Sequence, residues 1–213
     1  LFRSANALVD AGAKAGPGLS TLVGGLAVAA FGWRGLFLAI GLGSLVWLIP
    51  WLLTAPSGDG AAGGGAASPS WGQLLRTKKV WITSLGMFTY GYVNYFMLTW
   101  LPSYLVRERG FSMTDMAVFG SIPFWMMAVG SLGAGWTTDR LIRAGRPASQ
   151  VRKYCVALGL FLCGAAMLPA PMVSSATHSL LLITFSSVFL GVFSSNVWAI
   201  TQTFAGPAAA GMS

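Results

Sequence analysis

The residues whose types could support catalysis are few in this 213-residue chain, and they lie far apart. The single histidine, His178, has no second histidine and no nearby acid with which to complete a Ser-His-Asp set, and metal sites need clustered ligands. None of the acidic residues lies deep in an apolar run: they are Asp10, Asp59, Glu108, Asp115 and Asp139. We therefore predict that the chain is not an enzyme and holds no metal or cofactor.

The most specific spacing in the chain is a charged loop at 135–146. It has the form G-x-x-x-D-R-x-x-R-x-G-R, with Gly135, Asp139, Arg140, Arg143 and Arg146 at its fixed positions. Asp139 and Arg143 are one helical turn apart and can pair, and an acid at a helix end can meet the positive amino end of a neighbouring helix. The alternative is a basic anchor of the kind that any cytoplasmic loop carries. The spacing favours a specific motif.

Two apolar runs carry polar residues at helical spacing. In the run at 80–106, Thr83, Tyr90 and Asn94 fall on one face at spacings of seven and four, and Tyr95 lies beside them. In the run at 180–204, a second face consists of Ser187, Gly191, Ser195, Trp198 and Gln202. Polar side chains at bilayer depth are usually internal and often functional, although ordinary hydrogen bonding between helices is the alternative.

One cation lies inside an apolar run. Lys14 follows Asp10 by four residues, so the two can pair along a helix. A lysine near a membrane surface can also extend its ammonium group to water, and this is the simpler interpretation. The functional alternative is an anchor for an organic anion.

The elements that position these residues are membrane-spanning helices. The chain is 55% hydrophobic and 8% charged, whereas soluble domains are about 25% charged. Its net charge of +8 would suggest a nucleic-acid partner in a soluble protein. Because the basic residues lie in short clusters between apolar runs, we predict the lipid bilayer as the partner and no nucleic acid.

The apolar runs predict an all-α bundle of six transmembrane helices, since about 20 apolar residues cross a membrane. The predicted spans are 11–31, 35–53, 80–106, 116–138, 154–169 and 180–204, with an interruption at Gly32-Trp33-Arg34. A Gly/Ala/Ser-rich linker follows the second span. Small residues at helix-contact spacing predict close packing: Gly12/Gly16, Ser20/Gly24 and Gly159/Cys163.

The distribution of basic residues predicts which side each loop faces. Alternating spans place ten of the thirteen Lys and Arg residues on one side and three, Arg34, Arg107 and Arg109, on the other. Positive loops stay in the cytoplasm. We therefore predict a multi-pass protein of the cell (inner) membrane, with the amino end, the 54–79 linker and the 139–153 loop in the cytoplasm.

Several motifs together resemble the major facilitator superfamily. The 135–146 loop is similar to that family's signature loop, in the weaker copy that follows the eighth helix, and Gly32-Trp33-Arg34-Gly-Leu-Phe37 resembles the turn between its fifth and sixth helices. The stretches Thr99–Leu105, Arg109–Ser112, Asn196–Ala199 and Ala5–Gly12 are similar to the anion:cation symporter branch.

The resemblance implies the fifth to tenth helices of a twelve-helix fold built from two halves. Residues 1–53 would be the last two helices of the N-terminal half, 54–79 the central cytoplasmic linker, and 80–213 the first four helices of the C-terminal half. Both chain ends would then be truncated. The family's seventh and tenth helices line its central cavity, which implies substrate-binding roles for Tyr90, Asn94, Tyr95, Ser195, Trp198 and Gln202, with Lys14 as the anion anchor.

These expectations favour a secondary transporter that carries a small organic anion, such as a sugar acid or an aromatic carboxylate, together with a proton by alternating access. The proton carrier would lie in helices outside this chain, because family members keep their buried acids in the first and fourth helices. Two alternatives remain: a drug or metabolite exporter of the same superfamily, and a structural membrane protein that transports nothing.

Overall fold

The computed structural model describes the backbone of residues 2–54, 76 and 78–209, and the side chains of 12–53 other than 14 and 47, of 76 and 78, and of 80–200. Every element in this part of the chain is an α-helix. The helices are α1 (Phe2–Thr54), α2 (Lys78–Arg107), α3 (Met113–Arg143), α4 (Ala148–Met167) and α5 (Ala176–Ala209). The predicted all-α class is confirmed, and most of the predicted linker at 54–79 lies outside the described residues.

Gly32 divides α1 into two helical parts. Its φ of 71° and ψ of 172° are not helical, and a positive φ of this kind favours glycine because it has no Cβ. A Cβ built at Gly24 would lie 4.0 Å from Leu36 Cδ2, although twelve residues of straight helix would separate these positions by about 18 Å. The second part of α1 therefore folds back along the first, as the predicted interruption at Gly32-Trp33-Arg34 requires.

Within the part of the chain that the structure describes, three segments are long and apolar enough to cross a membrane: Ala15–Leu53, Met113–Arg143 and Ala176–Ile200. The first covers most of the span predicted before Gly32, at 11–31, and all of the span predicted after it, at 35–53. The helix α2 covers the predicted span 80–106, and α4 overlaps the predicted span 154–169 but begins six residues earlier; neither is among the three segments. Their assignment as transmembrane helices stays a prediction, as does the count of six spans.

The helix α5 lies at the centre of the bundle and packs against α3 and α4, while α1 packs against α3. Glycines bring the backbones together: Gly130 of α3 faces the backbone of Val188, and Gly191 of α5 faces the carbonyl of Met127. At Gly159 of α4, a Cβ would lie 2.9 Å from the backbone nitrogen of Phe193. Close packing was predicted at this position. It was also predicted at Gly12 and Gly16, where a Cβ would have no neighbour within 4 Å.

The connections between helices define two ends of the bundle. The 108–112 connection and the 168–175 connection touch each other, because Arg109 donates to the carbonyl of Val173 at 2.8 Å. Gly18 of α1 faces Trp125 and Gly25 faces Ala117, so α1 runs toward the start of α3. The turn at Gly32, seven residues further on, therefore lies at the same end of the bundle. We call this the Arg109 end. The α3–α4 connection lies at the opposite end, the Asp139 end. Successive connections between the helices thus lie at opposite ends of the bundle, as the predicted topology has them. Which end faces the cytoplasm stays a prediction.

Candidate functional site

The helices α2 and α5 run antiparallel and meet along a narrow seam. At one end of the seam, a Cβ at Gly86 would lie 3.4 Å from Val197 Cγ2. Further along, the rings of Tyr90 and Phe193 have centroids 6.4 Å apart. The seam continues with Ser187 Oγ, which is 3.8 Å from Met97 Sδ. The predicted polar residues of α2 can be located relative to this seam.

Tyr90 and Asn94 lie on the seam side of α2, each half-buried. The Oδ1 atom of Asn94 is buried and has no hydrogen-bond partner. Leaving a buried acceptor unsatisfied lowers stability by about 1–3 kcal/mol. We therefore expect a group other than the described residues to donate a hydrogen bond to Asn94 Oδ1. The pair Tyr90 and Asn94 is the part of the predicted site that the structure brings together most clearly.

Tyr95 lies on a different face of α2. Its side chain is 69% exposed, and it lines a shallow aromatic groove together with Phe88, Tyr92 and Trp100. The one-residue step from Asn94 turns a helix by about 100°, which explains why adjacent residues face different surroundings. Tyr95 and Asn94 therefore do not share a face.

The predicted polar face of α5 is divided by packing. Ser187 and Gly191 are buried, with Ser187 Oγ donating to the carbonyl of Ile183 at 2.8 Å. Ser195 is half-buried and donates to the carbonyl of Val192 at 3.2 Å, whereas Trp198 is 47% exposed. Only the second half of the predicted face, from Ser195 onward, remains accessible to a ligand. The side chains of Gln202 and Lys14 lie outside the described residues.

The charged motif at the Asp139 end is exposed to solvent, and the predicted loop at 139–153 is shorter than expected, because α3 continues to Arg143 and α4 begins at Ala148. Asp139, Arg140, Arg143 and Arg146 are all exposed, and Gly135 is half-buried. Arg143 Nε donates to the backbone carbonyl of Asp139 at 3.3 Å, so the predicted pairing with the carboxylate is replaced by a contact with the main chain. The guanidinium of Arg140 lies 5.4 Å from the ring centre of Trp136. Asp139 thus lies in the last turns of α3, and its contact with Arg143 is through the main chain.

A buried polar contact beside this motif escaped the sequence analysis. Thr138 Oγ1 donates to Asn196 Oδ1 at 3.2 Å, and Asn196 Nδ2 donates to the carbonyl of Val192 at 3.0 Å. Thr138 and Asn196 are 5% and 3% exposed. On the neighbouring α4, Arg152 donates to the carbonyl of Ala199 at 3.3 Å. The sequence feature that could have predicted this contact is the position of Thr138, a small polar residue directly before Asp139 at the end of an apolar run.

Another cavity lies elsewhere in the bundle. It has a volume of about 440 Å³ and lies near the Arg109 end, with Met97, Trp100, Leu101, Met167 and Ile183 in its walls. None of the predicted substrate residues lines it. Across the described residues, no group of three or more His, Cys, Asp or Glu side chains could hold a metal ion.

The chain is similar to transport proteins over nearly its whole length. The family model described as Major Facilitator Superfamily matches residues 3–213. The probable sulfoacetate transporter SauU of Cupriavidus necator is 30% identical over 201 residues, which cover 84% of this chain and 46% of that protein. The hexuronate transporter of Bacillus subtilis is 27% identical over 208 residues, which cover 92% of this chain and 49% of that protein.

A third relative, the probable L-galactonate transporter of Escherichia coli, is 26% identical over 186 residues, covering 79% of this chain and 41% of that protein. The chain spans about half the length of the curated relatives that it matches. All three are named as transporters of small organic acids. With the helical bundle, the Gly32 turn and the charged loop at Asp139, the match over residues 3–213 shows that this chain belongs to the major facilitator superfamily.

Proposed function

We propose that this chain forms about half of a secondary transporter that moves a small, hydroxylated organic anion, such as a sugar acid, by proton-coupled symport. Sulfoacetate, hexuronate and L-galactonate in the names of its relatives are all small anions. Two of them, hexuronate and L-galactonate, also carry several hydroxyl groups. The structural observation that carries the proposal is the unpartnered acceptor Asn94 Oδ1 inside the bundle.

The chemistry at Asn94 suits a substrate hydroxyl. A hydroxyl group donates one hydrogen bond, and Asn94 Oδ1 is a buried acceptor that requires a donor. The aromatic ring of Tyr90 lies one helical turn away and supplies an apolar surface for the carbon skeleton. Ser195 and Trp198, on the accessible part of α5, would form the second wall of the binding site. An apolar pocket with a few placed polar groups is typical of small-molecule sites.

The charges that the transport cycle needs come from outside the described side chains. The apolar core of α2–α5 contains no acid, because Glu108, Asp115 and Asp139 lie at helix ends or in loops. A buried titratable acid is the usual proton carrier in such proteins. We infer that the proton carrier and most of the anion's countercharge belong to the remainder of the transporter, with Lys14 as the contribution of this chain.

The exposed Asp139 is proposed to bias the transporter toward one access state. A group can shift a conformational equilibrium only if its contacts differ between the two states. Asp139 is exposed, so a contact with another helix in one state would supply that difference. Alternating access then follows from making and breaking this contact at the cytoplasmic end of a cell-membrane protein.

Uptake into proteoliposomes tests the function. The full-length transporter should accumulate labelled hexuronate or galactonate when the outside is acidic, and a proton conductor should abolish the accumulation. Asn94→Leu, which keeps the approximate size but removes the acceptor, should weaken substrate binding by about 2- to 13-fold for the loss of one hydrogen bond of 0.5–1.5 kcal/mol.

The matched control is Ser84→Ala, which removes an exposed polar group from the same helix and should leave the affinity unchanged. Equal affinities in the wild type, Asn94→Leu and Ser84→Ala would remove Asn94 from the site. Uptake that does not respond to the proton gradient would contradict proton coupling.

A further inference from the structure

Arg109 forms the densest set of polar contacts among the described residues at its end of the bundle. Its Nε donates to Tyr104 Oη at 2.7 Å. Its Nη1 and Nη2 donate to backbone carbonyls of the α4–α5 connection, those of Val173 at 2.8 Å, Ser174 at 3.3 Å, Ala170 at 3.3 Å and Pro171 at 3.4 Å. One guanidinium therefore joins the end of α2 to a segment more than sixty residues away in the chain.

The local sequence directs the guanidinium toward these acceptors. The carbonyls of Tyr104 and Leu105 accept from the backbone nitrogens of Arg109 and Phe111, which ends α2. Gly110 has a φ of 72°, which a residue with a Cβ rarely adopts. This turn holds Arg109 against the last residues of the helix. The carbonyls that it meets follow the carboxyl end of α4, where the helix dipole favours a cation.

The contact extends to α5 through a second hydrogen bond. Tyr104 Oη lies 2.8 Å from Ser179 Oγ, and Ser179 is fully buried near the start of α5. The ring of Tyr104 also lies under the guanidinium, 5.2 Å from its central carbon. Arg109, Tyr104 and Ser179 thus form a chain of directional contacts between α2, the α4–α5 connection and α5. We call these three residues the Arg109 clamp.

The rest of the α2–α5 seam is mostly apolar. Apolar contacts such as Tyr90 with Phe193 and Gly86 with Val197 are not directional, so they tolerate sliding of one helix along the other. The clamp is directional, because hydrogen bonds weaken steeply with misalignment. It therefore fixes the position of α2 along and around α5.

We propose that Arg109 is a positioning residue, which sets the register of α2 against α5 and thereby holds Tyr90 beside Phe193 and Asn94 one turn further along the seam. An effect of Arg109 on substrate binding rests on the proposed function, whereas its effect on the register of α2 and α5 can be measured whether or not the protein transports an anion. Lysine cannot replace Arg109, because a single ammonium group lacks the planar fork that reaches several carbonyls at once.

The first measurement is disulfide formation between α2 and α5 in the full-length protein. Gly86→Cys and Val197→Cys are introduced after Cys155 and Cys163 are replaced by alanine, since positions 86 and 197 face each other in the seam. Cross-linking by a mild oxidant should be several times slower with Arg109→Ala or Arg109→Lys than with the native arginine. Arg107 is the matched control, as an exposed arginine two residues away at the last position of α2, and Arg107→Ala should cross-link at the native rate.

The second measurement is transport by the same variants. Arg109→Ala and Arg109→Lys should raise the KM for the organic anion about tenfold, which corresponds to about 1.4 kcal/mol, while the maximal rate per molecule in the membrane changes little. Oxidation of the 86–197 cysteine pair in the Arg109→Ala protein should restore the native KM, since a covalent bond then holds the register.

The outcomes separate the two proposals. Native cross-linking rates in Arg109→Ala and Arg109→Lys overturn the positioning role, whether or not the protein transports anything. Slow cross-linking in those variants, together with a full-length protein that moves no organic anion, supports the clamp and rejects the proposed function. A lower maximal rate with an unchanged KM, and no rescue by oxidation, overturns the link between register and binding.

Discussion

The two ends of the bundle are held together by different kinds of interaction. At the Arg109 end, a charged side chain turns inward and its donors meet backbone carbonyls between 2.8 and 3.4 Å away. At the Asp139 end, the charged side chains of the 135–146 motif are exposed, and the buried contacts are the neutral pair Thr138 and Asn196 and the bond from Arg152 to the carbonyl of Ala199. The two ends therefore differ in their main charged feature, because Arg109 holds two segments together, whereas Asp139 and the arginines of its motif are exposed.

The membrane orientation of the two ends gives the largest expected effect. In a background without Cys155 and Cys163, Ser175→Cys at the Arg109 end should react fully with a membrane-impermeant maleimide on intact cells. Ser149→Cys at the Asp139 end should react only after the cells are permeabilised, because the basic loops stay in the cytoplasm. Both positions are exposed in the structure, so each serves as the control for the other. The reverse labelling pattern would place the Asp139 end outside.

The buried pair at the Asp139 end gives the next largest effect. Thr138→Val keeps the side-chain shape but removes the donor to Asn196 Oδ1, and an unsatisfied buried acceptor should lower the free energy of unfolding by about 1–3 kcal/mol. Denaturant unfolding of the purified protein in detergent measures this change. Thr137→Val is the control, because Thr137 is exposed and bonds only the carbonyl of Gly133 in its own helix.

A double-mutant cycle sharpens that measurement. If Thr138 and Asn196 act as a pair, Asn196→Leu should cost less stability in the Thr138→Val protein than in the native protein. Additive effects would mean that each residue acts through other neighbours, and the bond from Arg152 to Ala199 would then be the remaining directional contact described at the Asp139 end.

The charged motif gives the smallest expected effect on stability. Asp139→Asn should leave the Tm of the full-length protein unchanged, because exposed substitutions away from special features have little effect. Its transport rate should nevertheless fall, since the proposed contact between access states is lost. Normal uptake by Asp139→Asn would reduce the motif to a basic anchor and remove the functional difference between the two ends.

The sequence predicted the helices well because the bilayer imposes a simple rule on them. Each of the five described helices overlaps at least one predicted apolar run, and the interruption at Gly32-Trp33-Arg34 predicted the reversal of the chain within α1. The exposure of the charged loop also follows from composition, because arginines such as Arg140 and Arg143 are costly to bury unless they are paired.

The side-chain contacts were harder to predict, for physical reasons. The acceptors of Arg109 are backbone carbonyls 61 to 65 residues away, and every residue has such a carbonyl, so no pattern marks them. The polar face of α5 was predicted from spacing alone, which cannot tell that Gly191 lies against the backbone of α3. Spacing identifies which residues share a helix face, and the neighbouring helix decides whether that face is open.

The contacts of α1 with Ala117 and Trp125 lie in the first half of α3, so the displacement from a small rotation of α3 about them would be larger at its carboxyl end. Gly18 and Gly25 hold α1 against Trp125 and Ala117, whereas Leu132 and Trp136, further along α3, are 59% and 61% exposed. About 27 Å of helix extends from Trp125 to Arg143 at the far end of α3. If α3 rotated by about 10° about its contact with α1 at Trp125, its carboxyl end would move by roughly 5 Å, on the same helix dimensions. Because Gly130 and Thr138 tie this part of α3 to Val188 and Asn196 of α5, such a rotation would carry α5 with it.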